Sequence, residues 1–186
     1  MTQRFCQWLL YKRWGWTKEV TVAHPGKYII CLAPHTSNWD FIIGQLYMRA
    51  EGLRIGFLMK KEWFKGPLGT FFRHIGGIPV WRSQKSSMTD NLAETARKEK
   101  TFRLCITPEG TRSKNADWKR GFYIIAWKAS IPILLYALDY QRKLIACTKS
   151  FVPTGDIEHE MKEIKAYFKD CIGKHPEKFT IGDEAE

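Results

Sequence analysis

At 186 residues, 44% of them hydrophobic and 26% charged, the chain is one globular domain's worth of sequence, with enough apolar material to bury a core. Its net charge of +11 is uneven: residues 1–153 carry 25 Lys and Arg against 10 Asp and Glu, and residues 154–186 carry 5 against 9. The body therefore attracts anions (nucleic acid, phosphorylated metabolites or an anionic membrane surface), while the absence of any run of about 18 apolar residues excludes a spanning helix.

The five cysteines are scattered, odd in number and without a C-x-x-C pair, so no disulfide framework or zinc site is indicated, which suits a reducing cytoplasm. No apolar leader with a small-residue cleavage site is visible at the start. Residues 2–17 put Phe5, Trp8, Leu9 and Trp16 near one helical face, with Arg4, Lys12, Arg13 and Lys18 close by. A basic helix with tryptophans suits the headgroup region of a bilayer, so residues 1–20 are expected to form an amphipathic, membrane-associating helix ahead of a domain at 21–186. The same pattern also fits a helix packed on the domain's own core.

After the turn His24-Pro25-Gly26, an apolar strand Lys27–Ala33 leads into a loop bearing His35 and then a helix from about Asn38 to Glu51-Gly52. Ser37 and Asn38 are good caps for that helix. His35 thus falls at a strand's carboxyl end and Asp40 in the first turns of the helix, where open α/β sheets bind ligands. An imidazole with one nitrogen fixed by a carboxylate can take a proton with the other. Two residues at one spacing recur by chance, however, and a loop histidine beside a dipole-favoured carboxylate explains the pair as simply.

The second strand, Arg54–Met59, is followed by K-K-E-W-F-K-G-P-L-G with Lys60 and Lys61 at its head. Gly76–Arg82 reads as a glycine turn, a short strand whose proline marks an edge, and Arg82 at the exit. Ser86–Lys100 has the pattern of an amphipathic helix. Strand Phe102–Thr107 runs into P-E-G-T-R-S, with Glu109, Gly110, Thr111 and Arg112. Helix Gly121–Ala129, buried strand Ile131–Leu138, a hairpin turn at Asp139–Arg142 into Lys143–Val152, and a helical tail Asp156–Gly173 complete the chain. This order predicts a single α/β domain with a mixed, mostly parallel sheet flanked by helices. Three strands end in loops bearing His35/Asp40, Arg82 and Glu109/Arg112, and that convergence raises the pair at 35 and 40 above coincidence.

Four blocks in order, H-T-S-N-W-D, G-G-I-P-V-W-R, T-P-E-G-T-R-S and I-P-I-L-L-Y-A-L, with K-K-E-W-F-K-G-P-L-G and K-R-G-F between them, resemble the glycerolipid acyltransferases of the lysophosphatidic acid acyltransferase type. The resemblance covers roughly residues 25–140. Thr107 and Trp81 depart from it, standing where the family usually has phenylalanine and often has aspartate.

The resemblance implies the glycerolipid acyltransferase fold and transfer of a fatty acyl group from a thioester to a hydroxyl. His35 would be the base and Asp40 the residue that fixes its tautomer. It implies that Arg82 and Arg112 bind an acceptor phosphate through forked bonds, Lys60 or Lys61 adding charge. Glu109 would orient acceptor hydroxyls, Gly110 would let backbone approach the substrate, and Thr111 belongs to the same loop. The expected acceptor is 1-acylglycerol 3-phosphate, giving phosphatidic acid, and the donor acyl-CoA or acyl carrier protein. No bound cofactor, metal or nucleic acid is expected, and the five histidines lack H-x-H or H-E-x-x-H spacing. The implied location is peripheral, on the anionic cytoplasmic face of a membrane. A lyso-aminolipid acceptor of the ornithine or glycine type is the alternative within the enzyme class. A non-catalytic binder of anionic membranes is the alternative outside it.

Overall fold

Strand β2 (Lys27–Ala33) lies in the middle of the sheet and shows why its sequence is so apolar. Tyr28 and Ile30 enter one hydrophobic cluster, Ile29, Cys31 and Ala33 the other, so the two-residue strand period is buried on both faces. The computed structural model describes residues 2–80 and 85–182. Parallel neighbours flank β2: β5 (Phe102–Ile106) on one side and β6 (Ile133–Asp139), buried along its whole length, on the other. Beyond β5 come β3 (Gly56–Lys60) and β4 (Gly77–Val80), both parallel. Beyond β6 come β7 (Leu144–Phe151), antiparallel, and β1 (Thr17–Val20), parallel to β7. The sheet order is β1-β7-β6-β2-β5-β3-β4, the mixed, mostly parallel sheet that the sequence predicts. Pro79, with no N–H to donate, sits in β4 at the edge.

Helices cover both faces. α1 (Gln3–Gln7), α2 (Asn38–Ala50) and α3 (Gly66–His74) lie on the side of Tyr28 and Ile30. α4 (Lys85–Lys98), α5 (Gly121–Ala129) and α6 (Ile157–Ala166) pack on the other. The K-K-E-W-F-K-G-P-L-G stretch becomes a 3-10 turn, Lys61–Phe64, running into α3. Gly69 permits this fold-back, since a Cβ there would lie 2.3 Å from the Phe64 backbone.

The N-terminal segment differs from a single helix. α1 continues as a π-helical turn, Trp8–Arg13, and then stops. Gly15, at φ +73°, reverses the chain, and Thr17–Val20 joins the sheet as an edge strand. Trp16, placed with Phe5 and Trp8 by helical periodicity, is instead buried. The segment packs on the core through Cys6 and Leu10, while Phe5 and Trp8 face outward. The last helix is also shorter than its periodicity suggests, ending at Ala166, although Phe168 is still fully buried beyond it. Among the described residues no helix is long and apolar enough to cross a membrane.

Candidate active site

The three central parallel strands each deliver one residue to a common point at their carboxyl ends: β2 brings His35, β5 brings Glu109 and β6 brings Tyr140. After β2 the chain passes a cis Ala33–Pro34 bond and enters α2 at Asn38. Ser37 caps that helix, its hydroxyl accepting from the Trp39 N–H at 3.2 Å. Asp40 closes the cap from the other side, Oδ2 accepting from the N–H groups of Ser37 (2.9 Å) and Thr36 (2.8 Å). The same oxygen lies 3.1 Å from His35 Nδ1. A carboxylate only accepts, so Nδ1 carries a proton, and the neutral ring in this tautomer has its lone pair on Nε2. The Asp40 side chain is 1% exposed and that of His35 20%, so the pair is anchored on the buried side and open on the ring side.

Glu109 is 1% exposed and does not face outward. Its Oε1 accepts the backbone N–H of His35 at 2.7 Å. Burial above all, opposed by that hydrogen bond and reinforced by the Asp40 charge, pushes the carboxyl up to about 8. The carboxyl expected to meet acceptor hydroxyls thus braces the loop that carries the histidine. Past it, Gly110 turns at φ +66°, and the Glu109 carbonyl accepts from Asn115 Nδ2 at 2.8 Å. Thr111 is exposed, its hydroxyl accepting from the Ser113 N–H. Arg112 donates to the side-chain oxygen of Asn38, the first residue of α2, which brings its guanidinium beside the His35 loop. Lys60 closes β3 and Lys61 opens the turn after it, both exposed at the same end of the sheet but with β5 between them and β2. Arg82 lies outside the described residues.

Sequence reasoning did not single out two further features. The Tyr140 hydroxyl donates to Asp40 Oδ1 at 2.7 Å. The segment after α6 also straps the His35 loop: His175 N–H donates to Thr36 Oγ1 at 3.2 Å, and Lys174 Nζ lies 4.4 Å from the centroid of the Trp39 ring. Gly173 is pressed so closely that a Cβ would come 2.9 Å from the Thr36 side chain. These partners stand 100 or more residues from the loop, and no spacing rule reaches that far.

A family model described as acyltransferase matches residues 17–138, running from β1 into β6 and taking in His35, Asp40, Glu109 and Arg112. The chain belongs to the acyltransferase family. The fold of this acyltransferase is similar to the crystal structure of the 1-acyl-sn-glycerophosphate (LPA) acyltransferase PlsC from Thermotoga maritima, with a TM-score of 0.59 and 17% sequence identity. The likeness covers 89% of this acyltransferase and 74% of that chain. No curated protein matches the sequence. Family membership makes the chain an enzyme of acyl transfer, with an acyl donor and a lipid acceptor as its substrates.

Proposed function

We propose that this acyltransferase moves a fatty acyl group from a thioester to the free hydroxyl of 1-acylglycerol 3-phosphate, giving phosphatidic acid. The observation that carries the reading is the buried Asp40 carboxylate 3.1 Å from His35 Nδ1, with the ring's other nitrogen unbonded among the described residues. In this mechanism Nε2 takes the acceptor hydroxyl's proton as the oxygen attacks the thioester carbonyl. The tetrahedral oxyanion then collapses, the C–S bond breaks, and the imidazolium returns the proton to the leaving thiolate. Asp40 keeps the tautomer and stabilises the imidazolium, and no acyl-enzyme forms because the acceptor itself is the nucleophile. Arg112, which donates to Asn38 at the start of α2, would hold the acceptor phosphate, with Arg82 and one of Lys60 and Lys61 in support. Gly110 would let backbone approach the substrate, with Thr111 binding it from the same loop. The positive body suits either anionic donor, acyl-CoA or acyl carrier protein.

The test is acyl transfer by purified protein in mixed micelles, with both donors present and lysophosphatidate and lyso-aminolipid acceptors competing. Phosphatidic acid is the expected product. An aminolipid product moves the acceptor assignment and keeps the chemistry; no ester from either acceptor removes the catalytic reading and leaves an anionic-membrane binder.

The same reading places the protein peripherally on the cytoplasmic membrane surface. Phe5 and Trp8 are 45% and 52% exposed on a segment that also carries Arg4 and Lys12. Trp14 packs edge-on against Trp39, beside the His35 loop, while Gln3 and Gln7 donate to the Ala50 carbonyl at the far end of α2, so the segment lies along that helix. The Phe5→Ser/Trp8→Ser protein should sediment less with anionic vesicles, and still less in added salt, while turning over soluble short-chain substrates normally. Because Cys6 and Leu10 hold the segment to the core, its melting temperature should stay near that of the parent. Unchanged sedimentation would move the membrane surface elsewhere.

A further inference from the structure

The Asp40 carboxylate carries its contacts unevenly. Oδ2 takes three donors, the N–H groups of Thr36 and Ser37 and His35 Nδ1. Oδ1 takes the Tyr140 hydroxyl at 2.7 Å. Asp40 is fully buried, so without that hydroxyl Oδ1 would be a bare carboxylate oxygen away from water, and the soft torsion about Cβ–Cγ would be free to turn Oδ2 off the line to His35 Nδ1. Either change alters what His35 Nδ1 faces.

Tyr140 is itself fixed from two directions. Its N–H donates to the Ile172 carbonyl at 2.8 Å, on the strap that continues to Thr36. Its ring meets that of the buried Trp16 edge-on, with centroids 5.1 Å apart and planes at 85°. Burial, together with the bond to Asp40 and its charge, holds the phenol well above the usual tyrosine range, so it remains a donor at working pH. The tyrosine also leaves β6, the direct parallel neighbour of β2, so the sheet sets its distance from the His35 loop.

We propose that Tyr140 is a positioning residue of the acyl-transfer site: by donating to Asp40 Oδ1 it holds the carboxylate in the orientation that presents Oδ2 to His35 Nδ1. The proposal rests on the acyl-transfer reading of His35 and Asp40 above. Tyr140 acts through Asp40 and touches neither substrate, so its loss should act on turnover and not on binding.

Tyr140→Phe keeps the ring and its contact with Trp16 and removes the hydroxyl alone. It should lower kcat about tenfold or more, the range expected for a lost bond to a buried charge, with KM for donor and acceptor unchanged. In an Asp40→Asn background the same substitution should cost nothing further, because the group it orients is gone. The ring nitrogen signals of His35, read by NMR in substrate-free protein, should move in Tyr140→Phe. An equal fold-loss in both backgrounds, or an unchanged kcat, overturns the proposal. If the parent protein makes no ester, the functional reading has failed, and the NMR signals decide the coupling: moved signals support it and unmoved signals refute it.

Discussion

Replacing His35 with alanine is expected to lower acyl transfer by about 10²–10⁴-fold while leaving the fold and lipid binding intact. The rate falls because a hydroxyl attacks a thioester poorly until its proton is taken, and in the proposed mechanism His35 Nε2 supplies the lone pair for that task. The fold survives because the ring contributes little to it. The helix cap is built from Ser37 and from Asp40's bonds to the Thr36 and Ser37 amides, and alanine keeps the backbone N–H that Glu109 receives. Asp40→Ala is a different experiment, since it strips partners from two amides and from Tyr140 as well as from the histidine, and its activity loss would be mixed with a loss of stability of about 1–3 kcal/mol. Turnover at saturating substrate, with a thermal melt and vesicle sedimentation of the same samples, separates the cases. Full activity in His35→Ala would place proton transfer on another group.

The parts of the fold that the sequence announced are those whose burial leaves a periodic mark. β2 and β6 read as strands because both faces are buried and both are apolar between Lys27 at the start of one and Asp139 at the end of the other. The outer strand β1 did not. Thr17, Lys18 and Glu19 are exposed, and their polar residues show neither alternation nor an apolar run. α3 was hidden by its glycines and proline, which are poor helix formers, although Gly69 is there to let a helix pack closely on Phe64.

The site was legible to the same degree. His35 and Asp40 lie within one local capping motif, so their spacing carried the geometry. Glu109 was visible as a strand-end carboxylate, but its direction depends on register: β2 and β5 pair Cys31 with Ile106, so the chain leaves both strands side by side and the carboxyl meets the His35 amide. Tyr140 reaches Asp40 across 100 residues through the β2–β6 pairing, and a tyrosine in a hairpin turn has nothing to mark it beforehand.

Glu109→Gln is expected to make the protein more stable than the parent above about pH 8 and nearly equal to it in acid. The Glu109 carboxyl has a pKa of about 8 in the fold against 4.5 when unperturbed, so folding favours its protonated form. That contribution is complete below about pH 4.5 and is lost as pH rises through about 8. In the alkaline range the parent buries a charge near Asp40, offset only by the His35 amide, at a cost of the order of a few kcal/mol. Glutamine stays neutral at every pH, and its amide oxygen can still accept the His35 N–H. Groups that titrate identically in both proteins cancel, so the difference in melting temperature between the two across about pH 5–9 reports Glu109 alone. Glu109→Ala should be less stable than the glutamine variant throughout, by about 1–3 kcal/mol, because the His35 N–H is left buried without a partner. Its turnover should also fall, since the loop that aims His35 loses its brace. Parallel melting curves for parent and Glu109→Gln across that range would mean that the carboxyl is already ionised in the fold, and the alanine variant's loss would then reflect a lost ion–amide bond instead.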